Sequence, residues 1–188
     1  MKKLTLLAFL GLSAVAFSQN TKSEPDNVKE KTALIVPADQ AELEAKKKAA
    51  EEKAKLPKPY DPKADAQADI NKLVAQAKKE GKNIMIQAGG NWCIWCLRFN
   101  NFVQTTPELK EIVDKKYLYY HLNYSPDNKN EKVFAQYVDI KEKQGYPFFI
   151  ILDQNGKMIY ILKDSRALEK ENGYDKEKVK KFFETGKV

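Results

Sequence analysis

The feature that most limits how this chain can fold is a pair of cysteines at the predicted junction of a strand and a helix. Both cysteines and both tryptophans of the chain lie in one segment, Asn91-Trp92-Cys93-Ile94-Trp95-Cys96. Residues 83–88 before it are apolar enough for a buried strand, which Gly89-Gly90 would end. Residues 97–103 after it carry apolar side chains at helical spacing. The sequence therefore predicts a strand, a corner that holds Cys93, and a helix that begins there.

The predicted place of Cys93 in the first turn of a helix has a chemical consequence. Unpaired backbone N–H groups at a helix start carry partial positive charge, which favours a thiolate over a thiol. Cys96 follows three residues later, on the same side of the helix and within reach of Cys93. We therefore expect Cys93 to be the attacking nucleophile and Cys96 to be the resolving thiol.

Three other interpretations of the cysteine pair stay open at this level. One is an inert structural disulfide, although a bridge across two residues closes a small loop and constrains little of the unfolded chain. Another is half of a zinc site, but such sites use four ligands and the only other soft candidate is the lone His121. The third is that both cysteines are simply buried apolar residues. A Cys-x-x-Cys beside a strand–helix pattern favours redox chemistry, and we expect no metal and no cofactor.

Two motifs in this order resemble the thioredoxin superfamily. The first is Trp-Cys-x-x-Cys after a buried strand, and the second is the Gly145-Tyr146-Pro147 segment that leads into a strand and a tight turn. The segments Phe99-x-x-x-Val103 and Thr106-Pro107-Glu108-Leu109 are most similar to periplasmic thioredoxin-like proteins. The resemblance implies an α/β fold, with a mixed central sheet covered by helices on both faces. It also implies thiol–disulfide interchange with proteins as the activity.

The resemblance further implies how a substrate is held. A cis Tyr146–Pro147 bond would turn Pro147 toward the cysteine pair, and the backbone at Tyr146 would pair with the substrate chain. Trp92 would add flat apolar area beside the sulfurs. From the residues alone, Pro147 could also be an ordinary proline that opens a strand, and Trp95 could be a core residue.

Two departures from thioredoxin itself concern the chemistry of the pair. Thioredoxins carry a buried carboxylate six residues before the first cysteine, where this chain has Gln87. An amide cannot accept the proton of Cys96, so we expect that proton to pass to water or to another base, with slower resolution. The dipeptide between the cysteines is Ile94-Trp95 rather than Gly-Pro, and in this family that dipeptide tunes the redox potential.

Residues 1–18 read as a cleavable export signal. Lys2 and Lys3 precede a nearly continuous apolar run, and the small residues Ala16 and Ser18 suit cleavage before Gln19. The run is shorter than the ~20 residues of a spanning helix, so we expect no stable membrane insertion. The predicted location is periplasmic or secreted, where disulfides persist.

Residues 19–60 read as an Ala/Glu/Lys-rich spacer, partly helical and partly disordered, before a thioredoxin-like domain at residues 61–188. Glu42/Lys46, Glu44/Lys48 and Glu51/Lys55 are favourable pairs for an exposed helix. Since its apolar positions are mainly alanine, such a helix can bury little surface. A helix that docks on a partner is the alternative.

Capping residues delimit three helices of the predicted domain. They start at Asp61-Pro62, Thr106-Pro107 and Asp175, and end at Gly81, about Lys115 and Gly186 respectively. A further short helix is expected at residues 130–138.

Residues 117–123 are aromatic and β-prone, which predicts a central strand. Its His121 could carry protons, although a histidine packed on the sheet face suits the absence of an acid–histidine motif better. Strands at residues 147–152 and 158–162 would join through the turn Asp153-Gln154-Asn155-Gly156. The polar segment 164–174 is assigned no role.

Charge and composition limit the partners. The formal net charge of +7 is spread over many lysines, and the chain has only two arginines, Arg98 and Arg166. Such a composition does not support a surface that reads nucleic acid. We therefore predict an exported thiol–disulfide oxidoreductase that acts on protein thiols and disulfides, with a membrane-embedded redox partner. The alternative is a non-catalytic module of the same fold that binds a partner protein.

Overall fold

The computed structural model describes residues 37–139, 142 and 144–188. The predicted export signal and residues 19–36 of the predicted spacer lie outside the described residues. The helices are α1 Pro37–Lys55, α2 Ala66–Glu80, α3 Ile94–Thr105, α4 Pro107–Lys116, α5 Glu131–Phe134 and α6 Lys176–Thr185. The strands are β1 Asn83–Gly89, β2 Tyr117–Asn123, β3 Phe148–Leu152, β4 Met158–Leu162, β5 Glu169–Lys170 and β6 Gly173–Tyr174.

The main sheet has four strands in the order β2-β1-β3-β4. Strand β1 pairs in parallel with β2 and antiparallel with β3, and β3 pairs antiparallel with β4. The prediction of a central strand at residues 117–123 was wrong, because in the described sheet β2 pairs only with β1 and lies at the edge. The aromatic composition of this strand reflects burial of its faces rather than the number of strands with which it pairs. The two central strands are β1 and β3, and β3 is buried along its whole length.

Helices cover both faces of the sheet, as predicted. Along β1, Ile84 and Ile86 pack into a cluster with apolar side chains of α2 and α5. Met85, between them, points to the other face and packs against side chains of α3, α4 and α6. This alternation is the expected period of two for a strand that is buried on both sides.

The helix predicted from Asp61 begins later than expected. The N-cap of α2 is Asp65, whose carboxylate accepts a hydrogen bond from the Ala68 N–H at 3.0 Å. Asp61 instead accepts from the Lys63 N–H at 2.8 Å in a preceding turn. Both aspartates offer an acceptor to the backbone, and the fixed φ of Pro62 suits a turn as well as a first helical residue. The predicted end at Gly81 is confirmed, with φ at 65°.

Most of the other predicted boundaries agree with the structure. Asp175 caps α6 by accepting from two backbone N–H groups, and Gly186 ends that helix with φ at 69°. The turn between β3 and β4 closes through the Gly156 N–H, which donates to the Asp153 carbonyl at 3.0 Å. The predicted helix at residues 130–138 is shorter, since α5 ends at Phe134 and a turn follows.

The segment 164–174, which the sequence left without a role, closes over one end of α3. A 3-10 turn at Ser165–Leu168 leads into the short strands β5 and β6. Leu168 and Tyr174 are buried among side chains of α3 and α6. The Tyr174 hydroxyl donates to the Trp95 carbonyl at 3.1 Å, so this segment touches the residues between the two cysteines.

Helix α1 confirms the exposed helix predicted within the spacer. Its side chains are mostly solvent-exposed, including Leu43. One turn of it contacts α3, where the Arg98 guanidinium donates two hydrogen bonds to the Glu52 carboxylate. None of the helices in the described part of the chain has both the length and the apolar composition needed to cross a membrane.

Candidate active site

Cys93 and Cys96 form a disulfide at the N-terminus of α3. Their Cα atoms are 5.3 Å apart. Cys93 is the N-cap of the helix, and its sulfur accepts a hydrogen bond from the Cys96 N–H at 3.1 Å. The side chain of Cys93 is 6% exposed and that of Cys96 is 0% exposed. Cys93 is therefore the sulfur nearer to solvent, and Cys96 lies behind it inside the protein.

The segment before β3 lies against the cysteine pair. The Tyr146–Pro147 peptide bond is cis, as the resemblance implied, and Pro147 is buried. The Tyr146 carbonyl oxygen lies 3.7 Å from the Cys93 sulfur. Residues more than fifty positions apart in the chain thus meet at one end of the central strands.

An aromatic surface flanks Cys93. Trp92 is 46% exposed, and its indole N–H donates to the Tyr124 carbonyl at 2.6 Å. The rings of Trp92 and Tyr146 meet edge to face with centroids 5.4 Å apart, and Tyr146 stacks on Tyr124 at 5.7 Å. One cavity of about 480 Å³ lies between Trp95 and Tyr146, and another of about 400 Å³ lies on the Tyr124 side of Tyr146. Tyr146 is therefore flanked by a cavity on each side, of which the one on the Tyr124 side is the more apolar.

Trp95 is partly buried and packs between two elements. Its ring meets Tyr174 edge to face at 5.8 Å, and the Arg98 guanidinium carbon lies 4.9 Å from its centroid. Arg98 in turn binds Glu52 of α1, with N–O distances of 2.8 and 2.6 Å. This hydrogen bond lowers the pKa of Glu52 and raises that of Arg98. The packing of Trp95 fits the alternative that it serves the core.

Gln87 is buried directly behind the disulfide. Its side-chain nitrogen donates to the Tyr60 hydroxyl oxygen at 2.8 Å and to the Cys96 carbonyl at 3.0 Å. Its side-chain oxygen accepts from the Tyr119 hydroxyl at 2.7 Å. Since a carbonyl can only accept, the contact with Cys96 fixes which end of the amide is the nitrogen. Both the nitrogen and the oxygen of the Gln87 side chain are therefore engaged in hydrogen bonds.

Residues 65–154 match the profile of a family described as thioredoxin-like. This match spans β1, the cysteine pair, Gln87 and Pro147. Over these residues the protein is thioredoxin-like.

Solved structures with the same fold include a disulphide isomerase from Xylella fastidiosa Temecula1, with a TM-score of 0.58. It is 23% identical, and the match covers 67% of this chain and 94% of that one. A thioredoxin from Thermus thermophilus and a thioredoxin-fold protein from Helicobacter pylori, each 20% identical, match with TM-scores of 0.39 and 0.38. The matches cover 51% of this chain and 72% of the former, and 61% of this chain and 78% of the latter. The comparison with curated proteins found no match.

Most residues that the sequence assigned to the site of this thioredoxin-like fold come together. Cys93, Cys96 and Tyr146 belong to one cluster, Pro147 follows Tyr146, and Trp92 packs on the Tyr146 ring. His121 lies opposite Gln87 on the neighbouring strand. Its ring faces Tyr60 and Tyr119 at 5.1 and 5.2 Å, and burial lowers its pKa to about 4. It is therefore neutral at pH 7, which suits a packed histidine better than a proton carrier.

Sequence reasoning missed Tyr60 in this site. Tyr60, the last residue of the predicted spacer, is 2% exposed and packs in the same small cluster as both cysteines. The Asn91 side chain holds its backbone, donating to the Tyr60 carbonyl at 2.7 Å and accepting from its N–H at 3.2 Å. One signal pointed to it, since Tyr60 is the first aromatic residue after Phe17 in a long polar stretch.

Proposed function

We propose that this protein is an exported thiol–disulfide oxidoreductase that exchanges disulfides with protein substrates. The observation that carries the proposal is the Cys93–Cys96 disulfide at the start of α3, with its outer sulfur 3.7 Å from the Tyr146 carbonyl beside Pro147. The thioredoxin-like family match supports the same chemistry. Export rests on the sequence of residues 1–18, which lie outside the described residues.

The proposed reaction uses the two sulfurs in turn. In the reduced protein, the Cys93 thiolate attacks a substrate disulfide, forms a mixed disulfide and displaces one substrate sulfur, which takes up a proton. Cys96 then loses its proton and attacks the Cys93 sulfur. The Cys93–Cys96 bond forms, and the second substrate sulfur leaves as a thiol. The reverse sequence oxidises a substrate dithiol.

The surroundings of Cys93 support a peptide as the substrate. Its helix-start position favours the thiolate. The Tyr146 backbone carbonyl lies beside it, a residue before a proline favours an extended backbone, and the Trp92 and Tyr146 rings offer apolar area to a neighbouring side chain. A membrane-embedded redox partner would restore the pair, as exported dithiols need a source or sink of electrons.

Reduction of insulin by dithiothreitol tests the proposal. The parent protein should accelerate the reaction, while Cys93→Ser should give only the rate of free dithiothreitol because it lacks the attacking sulfur. Cys96→Ser should accumulate a mixed disulfide with the substrate, visible by mass on a non-reducing gel. Gln104→Ala, an exposed change on the same helix, is the matched control and should keep the parent rate.

If insulin is reduced no faster with the parent protein than with free dithiothreitol, the enzymatic proposal is contradicted. It would favour the alternative, a non-catalytic module that uses the aromatic surface around Cys93 to bind a partner protein.

A further inference from the structure

The sulfur of Cys96 needs a hydrogen-bond donor when it becomes an anion. Its side chain is fully buried, and a buried thiolate is costly unless a donor stabilises it. No charged side chain, and so no lysine or arginine donor, is buried in the described part of the chain, where the buried polar side chains are Gln87, Asn100, Asn123 and Ser165. The donor must therefore come from the uncharged groups around the pair.

The Tyr60 hydroxyl and the Cys96 sulfur border the same space next to Gly89, in the small cluster that holds both residues. A Cβ atom built on Gly89 would lie 2.5 Å from the Cys96 sulfur and 3.0 Å from the Tyr60 hydroxyl oxygen. The distance between the Cys96 sulfur and the Tyr60 hydroxyl oxygen therefore cannot exceed the sum of these two distances. Residue 89 has no side chain that could separate the two atoms. Because Gly89 has no side chain, the space that both atoms border stays open.

The hydroxyl proton of Tyr60 is available for that sulfur. The Tyr60 oxygen already accepts from the Gln87 amide nitrogen at 2.8 Å, and within the described residues it is not seen donating to any group. A phenol that accepts a hydrogen bond is polarised toward donating its own proton. Burial raises the pKa of Tyr60 well above its usual range, so the hydroxyl keeps its proton at neutral pH.

We propose that Tyr60 is a positioning residue whose O–H donates a hydrogen bond to the Cys96 sulfur in the reduced protein and stabilises the resolving thiolate. This inference rests on the proposed function. In the resolving step, Cys96 releases its proton to water, and its thiolate attacks Cys93. The Cys93–substrate bond breaks, and the leaving substrate sulfur keeps the electron pair and takes up a proton. Tyr60 gains and loses no atom in this step.

The other titratable groups around the pair are occupied or face elsewhere. The Tyr119 hydroxyl donates its hydrogen bond to the Gln87 side-chain oxygen at 2.7 Å. His121 lies with its ring against the Tyr60 ring, and its buried Nε2 has no hydrogen-bond partner among the described residues. The Tyr146 contact with the pair runs through its backbone carbonyl to Cys93. Arg98, the nearest cation on α3, is engaged with Glu52.

Titration of the Cys96 thiol in a Cys93→Ser background tests this contact directly. Thiolate formation, followed by ultraviolet absorbance against pH, should move to higher pH in Tyr60→Phe by about one unit, which is about tenfold less thiolate at a given pH. Tyr119→Phe is the matched control, since it removes a hydroxyl from the same Gln87 amide but not from the sulfur. Its titration should stay close to that of the parent background.

Kinetics provide a second reading in the intact cysteine pair. Tyr60→Phe should form the mixed disulfide with substrate at the parent rate and release it about tenfold more slowly.

A fluorinated tyrosine placed at position 60 has a more acidic hydroxyl and the same shape. It should shift the thiolate titration to lower pH even if Tyr60→Phe folds poorly.

Two results would overturn the inference. One is an unchanged Cys96 titration in folded Tyr60→Phe or in the fluorinated protein. The other is an equal shift in Tyr60→Phe and Tyr119→Phe, which would assign the effect to the buried network as a whole. Failure of the proposed function would look different, because the parent would not reduce insulin while the thiol titration would still report on Tyr60.

Discussion

Gln87 and His121 are paired on adjacent strands, but they differ in how their buried polar atoms are hydrogen-bonded. Gln87 donates to Tyr60 and to the Cys96 carbonyl, and accepts from Tyr119. The buried Nε2 of His121 has no hydrogen-bond partner within the described residues. Burial without a partner penalises the charged imidazolium, and this is why the pKa of His121 falls to about 4. The two residues therefore affect stability differently as pH changes.

His121 should make the stability of the protein depend on pH between about 6.5 and 4. Its pKa is lowered in the folded state, so the unfolded chain binds more protons in this range, and stability falls as the pH falls. We expect the free energy of unfolding to drop by about 2 kcal/mol from pH 7 to pH 5. The same drop should be largely absent in His121→Phe, as measured by urea unfolding at the two pH values.

The exposed carboxylate Glu108 provides an internal comparison for that experiment. Hydrogen bonds from Lys180 and Lys176 lower its pKa to about 2, so its contribution is lost only below its ordinary pKa of 4.5. A drop between pH 7 and pH 5 that persists in His121→Phe would contradict the assignment to His121.

At the scale of elements, α1 is held to the domain by polar contacts more than by apolar ones. Glu42 and Lys46 form one of the predicted pairs along this helix, and such exposed pairs contribute only about 0.3–0.5 kcal/mol each. The contact with α3 comes from Glu52, which lies between Arg98 and solvent. Because Arg98 also packs on the Trp95 ring, α1 is linked to the dipeptide between the cysteines.

Glu52→Gln should loosen α1 with a modest loss of stability. The variant keeps the shape of the side chain but loses the charge that Arg98 binds through two nitrogens. We expect the free energy of unfolding to fall by about 0.5–1 kcal/mol at low salt and by less at high salt. Tryptophan fluorescence should report the change around Trp95, and limited proteolysis should cut α1 faster.

Glu51→Gln is the matched control, because Glu51 is exposed on the same turn of α1. Equal effects of the two variants would show that the Glu52–Arg98 contact does not hold the helix.

At the scale of the whole molecule, one sheet joins two apolar layers, and the cysteine pair lies at the end of its central strand β1. Phe149 of β3 packs against two helices on one face of the sheet. Its ring centroid lies 4.7 Å from that of Phe99 in α3 and 5.4 Å from that of Phe182 in α6. Phe99 lies one turn after Cys96. The helix that presents the sulfurs is therefore seated on the core, and the site depends on the packing beneath it.

Phe149→Ala should destabilise the whole domain by about 3–5 kcal/mol, since it removes a fully buried ring and leaves a cavity. Urea unfolding followed by circular dichroism gives the change in free energy. Ile159→Ala on the exposed face of β4 is the control and should cost less than about 0.5 kcal/mol. A loss at Phe149 no greater than at Ile159 would mean that the layer under α3 is not a cooperative part of the core.

Local patterns were enough to predict much of this domain. The strand before Cys93, the helix after it, the turn at Asp153 and the caps at Asp175 and Gly186 all depend on neighbours within a few residues. The start of α2 could not be read in the same way, because Asp61 and Asp65 both satisfy the local rule for a cap. Burial of Tyr60 left only a weak trace, a single aromatic residue at the edge of a polar stretch.

By itself, then, the sequence determined that two sulfurs lie one turn apart at a helix start, that a proline segment leads into a buried strand, and that helices flank a mixed sheet. These properties follow from spacing, capping and apolar periodicity along short stretches of chain. Only the tertiary structure decided that β2 lies at the sheet edge, that Glu52 binds Arg98, and that Tyr60 faces Cys96. The last two join residues 46 and 36 positions apart in the chain, and such pairings depend on how separate elements pack, which no local pattern encodes.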